Sequence, residues 1–217
     1  MNASMYYQSL RPEMLDFIPR DAGRILEVGC GEGRFGKQLI DRQSAEVWGV
    51  EPNAEAAKVA ATRLSNTENG FFREGISAPK KYFDCIIFND VLEHMEDPWQ
   101  ALRIAKLFLR DGNATVVASI PNFRHWDNLM EVVIGKDFRY KQAGILDKTH
   151  LRFFTEKSIR DFFREAGYEI TGMAGINPTA SRKFKLINLL SCNAIRDMRY
   201  LQFGVVAKPA SGSMPPD

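Results

Sequence analysis

Cysteine is scarce in this chain. Only Cys30, Cys85 and Cys192 occur among 217 residues, and their separations match neither a zinc-ligand spacing nor a disulfide framework. An odd number, with Cys30 in a glycine-rich turn and Cys85 in an apolar run, points to reduced thiols and a cytoplasmic setting. Histidine is as rare, with three residues, and the histidines and acids form no compact ligand spacing, so no metal is expected. Charge of one sign is also lacking. The 29 Lys and Arg residues against 27 Asp and Glu leave a formal +2, too little for a general basic field that would hold nucleic acid. No apolar run reaches the ~18 residues of a membrane span, and residues 1–20 hold no secretory-type apolar core. There are no repeats. What is present, 45% apolar residues over this length, suffices for one α/β domain with a full core.

Residues 24–51 organise that domain. Ile25, Leu26, Glu27 and Val28 read as a buried strand, Gly29, Cys30, Gly31, Glu32 and Gly33 as a tight turn, and Phe35, Leu39 and Ile40 as one face of a helix. A second apolar run, Val47 to Val50, ends in Glu51. This βαβ pattern suits a nucleotide-like ligand, because glycine lets the backbone approach it closely. Two glycine frames fit. Gly31, Gly33 and Gly36 match GxGxxG, the dinucleotide fingerprint. Glu27, Gly29, Gly31 and Gly33 match ExGxGxG, which starts the turn directly after Val28. A carboxylate at the end of the first strand would repel a pyrophosphate and suits a cationic ligand, so the second frame is preferred. Glu51 can accept hydrogen bonds from both hydroxyls of a ribose.

Three blocks, residues 27–33, 49–53 and 83–98, occur in the order and spacing of the class I S-adenosylmethionine-dependent methyltransferases, which the chain resembles over roughly residues 5–208. The resemblance implies a doubly wound, mostly parallel α/β sheet with one antiparallel edge strand and a helical lid. It implies S-adenosylmethionine as cofactor, held by Glu27, Gly29, Cys30, Gly31, Gly33, Glu51, Pro52, Asn89, Asp90 and His94. Many relatives carry an acid for the adenine amino group after the third strand. Here Gly75 stands in that place with Glu74 before it, leaving Glu74 or backbone near Ile76 for that task.

The rest of the chain fits one domain over residues 1–210. Residues 1–20 read as an amphipathic helix anchored by Met14, Leu15, Phe17 and Ile18, with Tyr6 and Tyr7 available to cover the cofactor. Asn53 starts a helix expected to run to Leu64, and Phe71 with Phe72 reads as a short strand. Residues 85–88 form a continuous apolar run, as in a central parallel strand. Pro98 opens a helix, and Asp111, Gly112 and Asn113 turn the chain into a strand over residues 114–120. Residues 121–154 are too long for a simple connection. They carry aromatics, two histidines and a short apolar helix with Leu129, Val132, Val133 and Ile134, and read as a substrate lid. Thr155 caps a helix with Ile159, Phe162, Phe163 and Ala166 at core spacing, stopped by Gly167. A strand over 168–173, a basic apolar helix within 177–200 and a last strand over 203–207 follow. Residues 211–217 read as a disordered tail.

Methyl transfer requires the nucleophile, methyl carbon and sulfur in line, and positioning supplies much of the rate. A hydroxyl nucleophile also loses a proton, for which a neutral histidine is suited near pH 7. His150, in the block DKTHLRFFT, and His125, in PNFRHW, are the catalytic candidates; the alternative for each is a structural anchor of the lid. His94 is placed at the rim of the cofactor pocket. Arg124, Arg139 and Arg152 are candidates for a phosphate or carboxylate on the acceptor. The blocks around His94, His125 and His150 resemble a subgroup of bacterial methyltransferases encoded beside glycosyltransferases for surface polysaccharides. That resemblance implies O-methylation of a small molecule or saccharide by a monomer or homodimer. The alternatives are methylation of RNA, through Arg182, Lys183, Lys185, Arg196 and Arg199, or of protein, or a non-catalytic cofactor-binding partner of another transferase.

Overall fold

The computed structural model describes residues 10–214. Among them seven strands form one sheet: β1 Arg24–Val28, β2 Glu46–Glu51, β3 Asn66–Asn69, β4 Cys85–Asn89, β5 Thr115–Pro121, β6 Tyr168–Pro178 and β7 Tyr200–Pro209. The helices of the described residues are α1 Arg34–Gln43, α2 Ala54–Ala60, α3 Pro98–Phe108, α4 Trp126–Val133, α5 Glu156–Glu165 and α6 Arg182–Leu190. The strand order is β3-β2-β1-β4-β5-β7-β6. Strands β1 to β5 pair in parallel, and β7 is antiparallel to both neighbours. The antiparallel strand therefore sits one place inside the edge, which β6 forms.

Side-chain alternation divides the core. Leu26, Val28, Ile86 and Phe88 join Leu102 and Phe108 of α3 and Phe162 and Phe163 of α5 on one face. Ile25, Cys85, Ile87 and Val117 join Phe35 and Leu39 of α1 on the other. With both faces covered, β4 has no polar alternation: Cys85, Ile86, Ile87 and Phe88 are fully buried. The strand order reverses between β1 and β4, and doubly wound sheets place their ligand crevice at the carboxyl ends of such strands.

Several local expectations are corrected. Within the described part of residues 1–20 the chain forms a single 3-10 turn, Pro12–Phe17, not an α-helix; Met14 and Ile18 are its buried anchors. Tyr6 and Tyr7 lie outside the described residues. Helix α2 ends at Ala60. The third strand is the polar stretch Asn66–Asn69 rather than the Phe71–Phe72 pair, because an edge strand paired on one side to β2 needs no apolar run. Phe71 is 76% exposed, while Phe72 packs on Phe88 and Phe108. Val133 and Ile134 end α4 on an exposed face; Trp126 anchors it instead. At the far end the Ser213 hydroxyl donates to the Gly167 carbonyl at 2.8 Å and Met214 packs on the core, so the described part of the tail is docked.

Candidate active site

Strand β1 stops at Val28, and Gly29, Gly31 and Gly33 follow with φ of 70°, 54° and 73°. Those angles are the left-handed region that glycine enters without a Cβ penalty. The Gly29 N–H donates to the Val50 carbonyl at 2.8 Å, and the Gly31 N–H donates to Glu51 Oε2 at 2.9 Å. The Asn53 N–H donates to Glu51 Oε1 at 2.8 Å. A Cβ on Gly29 would lie 2.6 Å from Val91 Cγ2, so the turn presses on the segment that follows β4. Gly36, by contrast, is inside α1. A Cβ there would meet Leu64 Cδ2 at 2.6 Å, Glu27 Oε2 at 2.8 Å and Val47 Cγ1 at 2.9 Å. Packing against β1 and β2 accounts for that glycine, and the turn follows the ExGxGxG frame.

Glu27 lies under α1 beside Gly36 and is buried. Burial pushes its carboxyl up to about 8, the Gly36 N–H opposes this and the Glu51 charge adds to it. Burial also raises Glu51, against the N–H groups of Asn53 and Gly31. Cys30 is buried behind the turn with a thiol raised by burial and by the two carboxylates. Pro52 leads from Glu51 to Asn53, whose side chain caps α2 by accepting from the Ala56 N–H at 2.9 Å.

At the end of β4 neither amide atom of the Asn89 side chain has a hydrogen-bond partner, although both are buried. Asp90 follows with φ 54°. It is committed to a network: the Ser119 hydroxyl donates to it at 2.9 Å, the Gln202 amide at 2.7 Å, and Arg11 forms an ion pair with it. This network joins β4, β5 and β7 to the N-terminal segment. Near β3, Glu74 is ion-paired with Lys80 at 2.9 Å. Gly75 has open space around it.

Residues 121–154 leave β5 and return to the same edge. The buried Asn122 side chain donates to the carbonyls of Asp197 and Tyr200, both at 2.9 Å, and the Phe123 N–H donates to the Phe154 carbonyl at 2.7 Å. The returning chain is clamped on Glu93, whose carbonyl accepts from the N–H groups of Leu151 at 2.8 Å and Arg152 at 3.1 Å. That clamp brings the rings of His94 and His150 to 4.7 Å, at 75° to each other. Desolvation and the His150 ring hold His94 below its ordinary pKa. His125 is outside this pair: it is buried at the N-terminus of α4, and burial lowers its pKa. Phe123, Phe138, Tyr140 and Phe153 form an aromatic group with centroids 5.6–6.4 Å apart, three residues from His150 at its nearest in sequence.

Of the three lid arginines, Arg124 pairs with Asp197 at 2.6 Å, Arg139 with Asp137 at 2.9 Å, and Arg152 donates to the Glu96 carbonyl. Arg124 also lines a cleft of about 510 Å³ with Lys157, Arg160, Arg196 and Asp197, and none of its lining residues belongs to the glycine turn. Glu93, the buried acid of the segment, was not among the residues expected from sequence. Its signal was an acid between Leu92 and His94, in a stretch that otherwise had to pack.

The glycine turn and Glu51 fit the cofactor expected from the sequence resemblance. Each Glu51 oxygen accepts one N–H and keeps a second lone pair, and the unpartnered Asn89 amide offers a donor and an acceptor at the next strand. Residues 2–172 match the family model described as a methyltransferase domain. The chain is 27% identical over 191 residues to a ubiquinone biosynthesis O-methyltransferase of Aeromonas salmonicida, covering 82% of this chain and 78% of that protein. It is 27% identical over 205 residues to the enzyme of the same description from Actinobacillus pleuropneumoniae, covering 86% and 85%. A solved structure from Thermotoga maritima, described as a SAM-dependent methyltransferase and possible histamine N-methyltransferase, superposes with a TM-score of 0.64. It covers 94% of this chain and 89% of its own at 18% identity, a likeness of fold.

Proposed function

The chain belongs to the methyltransferase domain family and is an S-adenosylmethionine-dependent enzyme, and from that premise we propose that it methylates a hydroxyl oxygen of a small molecule or saccharide held under residues 121–154. Bound S-adenosylmethionine supplies an electrophilic methyl carbon on a sulfonium. Glu51 holds the ribose, the glycine turn wraps the amino-acid part, and Asn89 hydrogen-bonds the amino-acid end. The observation that carries the acceptor reading is the aromatic group within residues 123–153, the segment that also returns His150, with Phe138 45%, Tyr140 57% and Phe153 36% exposed. Exposed ring faces bind flat rings and the apolar faces of sugars, and they exclude water from a displacement that water would compete with. The relatives' description as O-methyltransferases of ubiquinone biosynthesis supports oxygen as the accepting atom. The Glu93–His94–His150 group is where the acceptor hydroxyl is held and activated in this reading, and His125 supports the lid root.

The cleft at Arg124, Lys157, Arg160 and Arg196 also carries Glu156 and Asp197, which pair with Arg160 and Arg124, so it supports a polar substituent on the acceptor. A panel of catechols, phenols and nucleotide sugars, incubated with S-adenosylmethionine and read by mass spectrometry, tests the proposal. A product heavier by one methyl on oxygen supports it, and the Phe153→Ala variant should then raise KM for the acceptor more than it lowers kcat. Methylation confined to nitrogen, or cofactor binding without turnover across the panel, would overturn it.

A further inference from the structure

Glu93 presents a buried carboxyl group whose oxygens accept no hydrogen bond from another residue among the described ones; Arg11 acts on it only through its charge. Glu93 is 1% exposed. A carboxyl group in that state either keeps its proton or is completed by something cationic. Beside it stand two imidazoles. His94 Nδ1 faces the Thr149 carbonyl at 3.1 Å and His150 Nδ1 faces the Ile145 carbonyl at 2.9 Å. The Thr149 hydroxyl also lies 3.1 Å from His94 Nδ1 but donates to Asp147 at 2.7 Å, and a carbonyl oxygen only accepts, so this bonding assigns the proton of each ring to Nδ1 and the lone pair to Nε2. Orientation by a backbone carbonyl through the other ring nitrogen is the outer-shell arrangement of metal-binding histidines. One ligand atom from each of Glu93, His94 and His150 lies within 4.8 Å of the others. The backbone clamp between Glu93 and residues 151–152 holds the three together across a sequence gap that hides them from any spacing motif.

We propose that Glu93, His94 and His150 bind a divalent cation of the first transition row, with open positions that receive the acceptor hydroxyl. Two imidazoles and one carboxylate suit Zn²⁺, Mn²⁺ or Co²⁺ better than Ca²⁺, whose sites are built of oxygen. A structural zinc site closes with four protein ligands, whereas three leave room for substrate or water. Asp90, nearby in sequence, is held by Ser119, Gln202 and Arg11. The site lies at the end of the segment that Gly29 packs on through Val91. A cation there lowers the pKa of a hydroxyl that reaches it, and the proton passes to water. This role rests on the O-methylation reading; the binding of the cation does not.

The test begins with the full chain stripped by a chelator and dialysed. Titration with Zn²⁺ and Mn²⁺ by calorimetry, and with Co²⁺ by its visible absorption, should show one ion per chain and a rise in Tm on loading. Glu93→Gln keeps the shape and removes the charge, and His150→Asn removes a ligand from the lid side. Each should weaken binding by more than about 10-fold, a loss that even outer-shell partners produce. Far-UV circular dichroism and Tm confirm that each variant is folded, and either one alone suffices if the other is not. Absence of binding by all three ions, or binding unchanged in the folded variants, would overturn the site. Stoichiometric binding lost in the variants supports it even if the acceptor panel yields no O-methylated product, an outcome that would overturn only the functional reading.

Discussion

Gly31 donates its backbone N–H to Oε2 of Glu51 at 2.9 Å, so the turn after the first strand hangs on the carboxylate at the tip of the second. The other oxygen holds the Asn53 N–H at 2.8 Å. One side chain thus shapes the turn and the entry to α2, and in the proposed reading its remaining lone pairs meet the ribose. Glu51→Ala should weaken S-adenosylmethionine binding by about 100-fold, as expected for two charge-assisted hydrogen bonds worth ~1.5 kcal/mol each. The empty variant should also melt lower than the parent, because two N–H groups lose their acceptor. Calorimetric titration checks the first effect and thermal unfolding the second. Unchanged affinity would remove Glu51 from the cofactor site.

Gly36→Ala separates the two glycine frames. In an exposed helix the change from glycine to alanine stabilises by about 0.5–1 kcal/mol. Here the new methyl would meet three side-chain atoms of Leu64, Glu27 and Val47 inside 3.0 Å. Overpacking of that kind costs typically ~1–3 kcal/mol and outweighs the helix gain. Chemical denaturation should show a less stable protein, while the folded variant keeps its affinity for S-adenosylmethionine. A stable variant that no longer binds would mean that Gly36 belongs to the ligand cradle.

The turn and the Glu51 carboxylate, the proposed cofactor half of the site, were legible as geometry because they are local. Residues 27–33 and Glu51 are one βαβ unit, and backbone pairing of β1 with β2 brings them together with no help from the rest of the chain. The grouping of Glu93 with the two histidines, each named singly from sequence, was not. Glu93 and His150 are 57 positions apart, and what joins them is a pair of backbone hydrogen bonds that no side-chain pattern encodes. The misread elements share a cause: β3 is polar because it sits at an edge, while the apolar Phe71 and Phe72 belong to a loop of which only Phe72 reaches the core. Apolar periodicity reports burial, and these segments decouple burial from secondary structure.

Thr155→Ala should loosen the return of the lid. The Thr155 side chain accepts from the Ser158 N–H at 3.2 Å and the Ser158 hydroxyl accepts from the Thr155 N–H at 2.8 Å, a reciprocal cap at the start of α5. Removing such a cap costs ~1 kcal/mol. For a chain of this size that corresponds to a fall in Tm of about 2–4 °C. Phe154, immediately before the cap, is the residue whose carbonyl holds the lid's other end at Phe123. Hydrogen exchange should therefore rise across residues 150–154 in the variant, and faster exchange confined to α5 would show that the cap does not hold the lid.

Glu27 gives the stability a pH dependence whose sign follows from its burial. Its carboxyl is raised from the ordinary 4.5 to about 8 in the folded chain, chiefly by burial. Unfolding exposes it, so below about pH 4.5 both states hold the proton and Glu27 is neutral to stability. As pH rises from 4.5 towards 8 the unfolded chain releases the proton while the folded chain keeps it, and the unfolded state gains. The loss of stability from this group is at most about 1.4 kcal/mol per pH unit within that window and constant above it. Glu27→Gln cannot ionise, so its stability relative to the parent should climb across the same window and then level. Glu93 is raised to about 8 as well, but it is common to both proteins and cancels in the difference. Urea unfolding at a series of pH values reads that difference directly. A difference that stays flat from pH 5 to pH 9 would show that Glu27 is already ionised in the folded protein, and that the unpartnered Oε2 beneath Gly36 has found a donor.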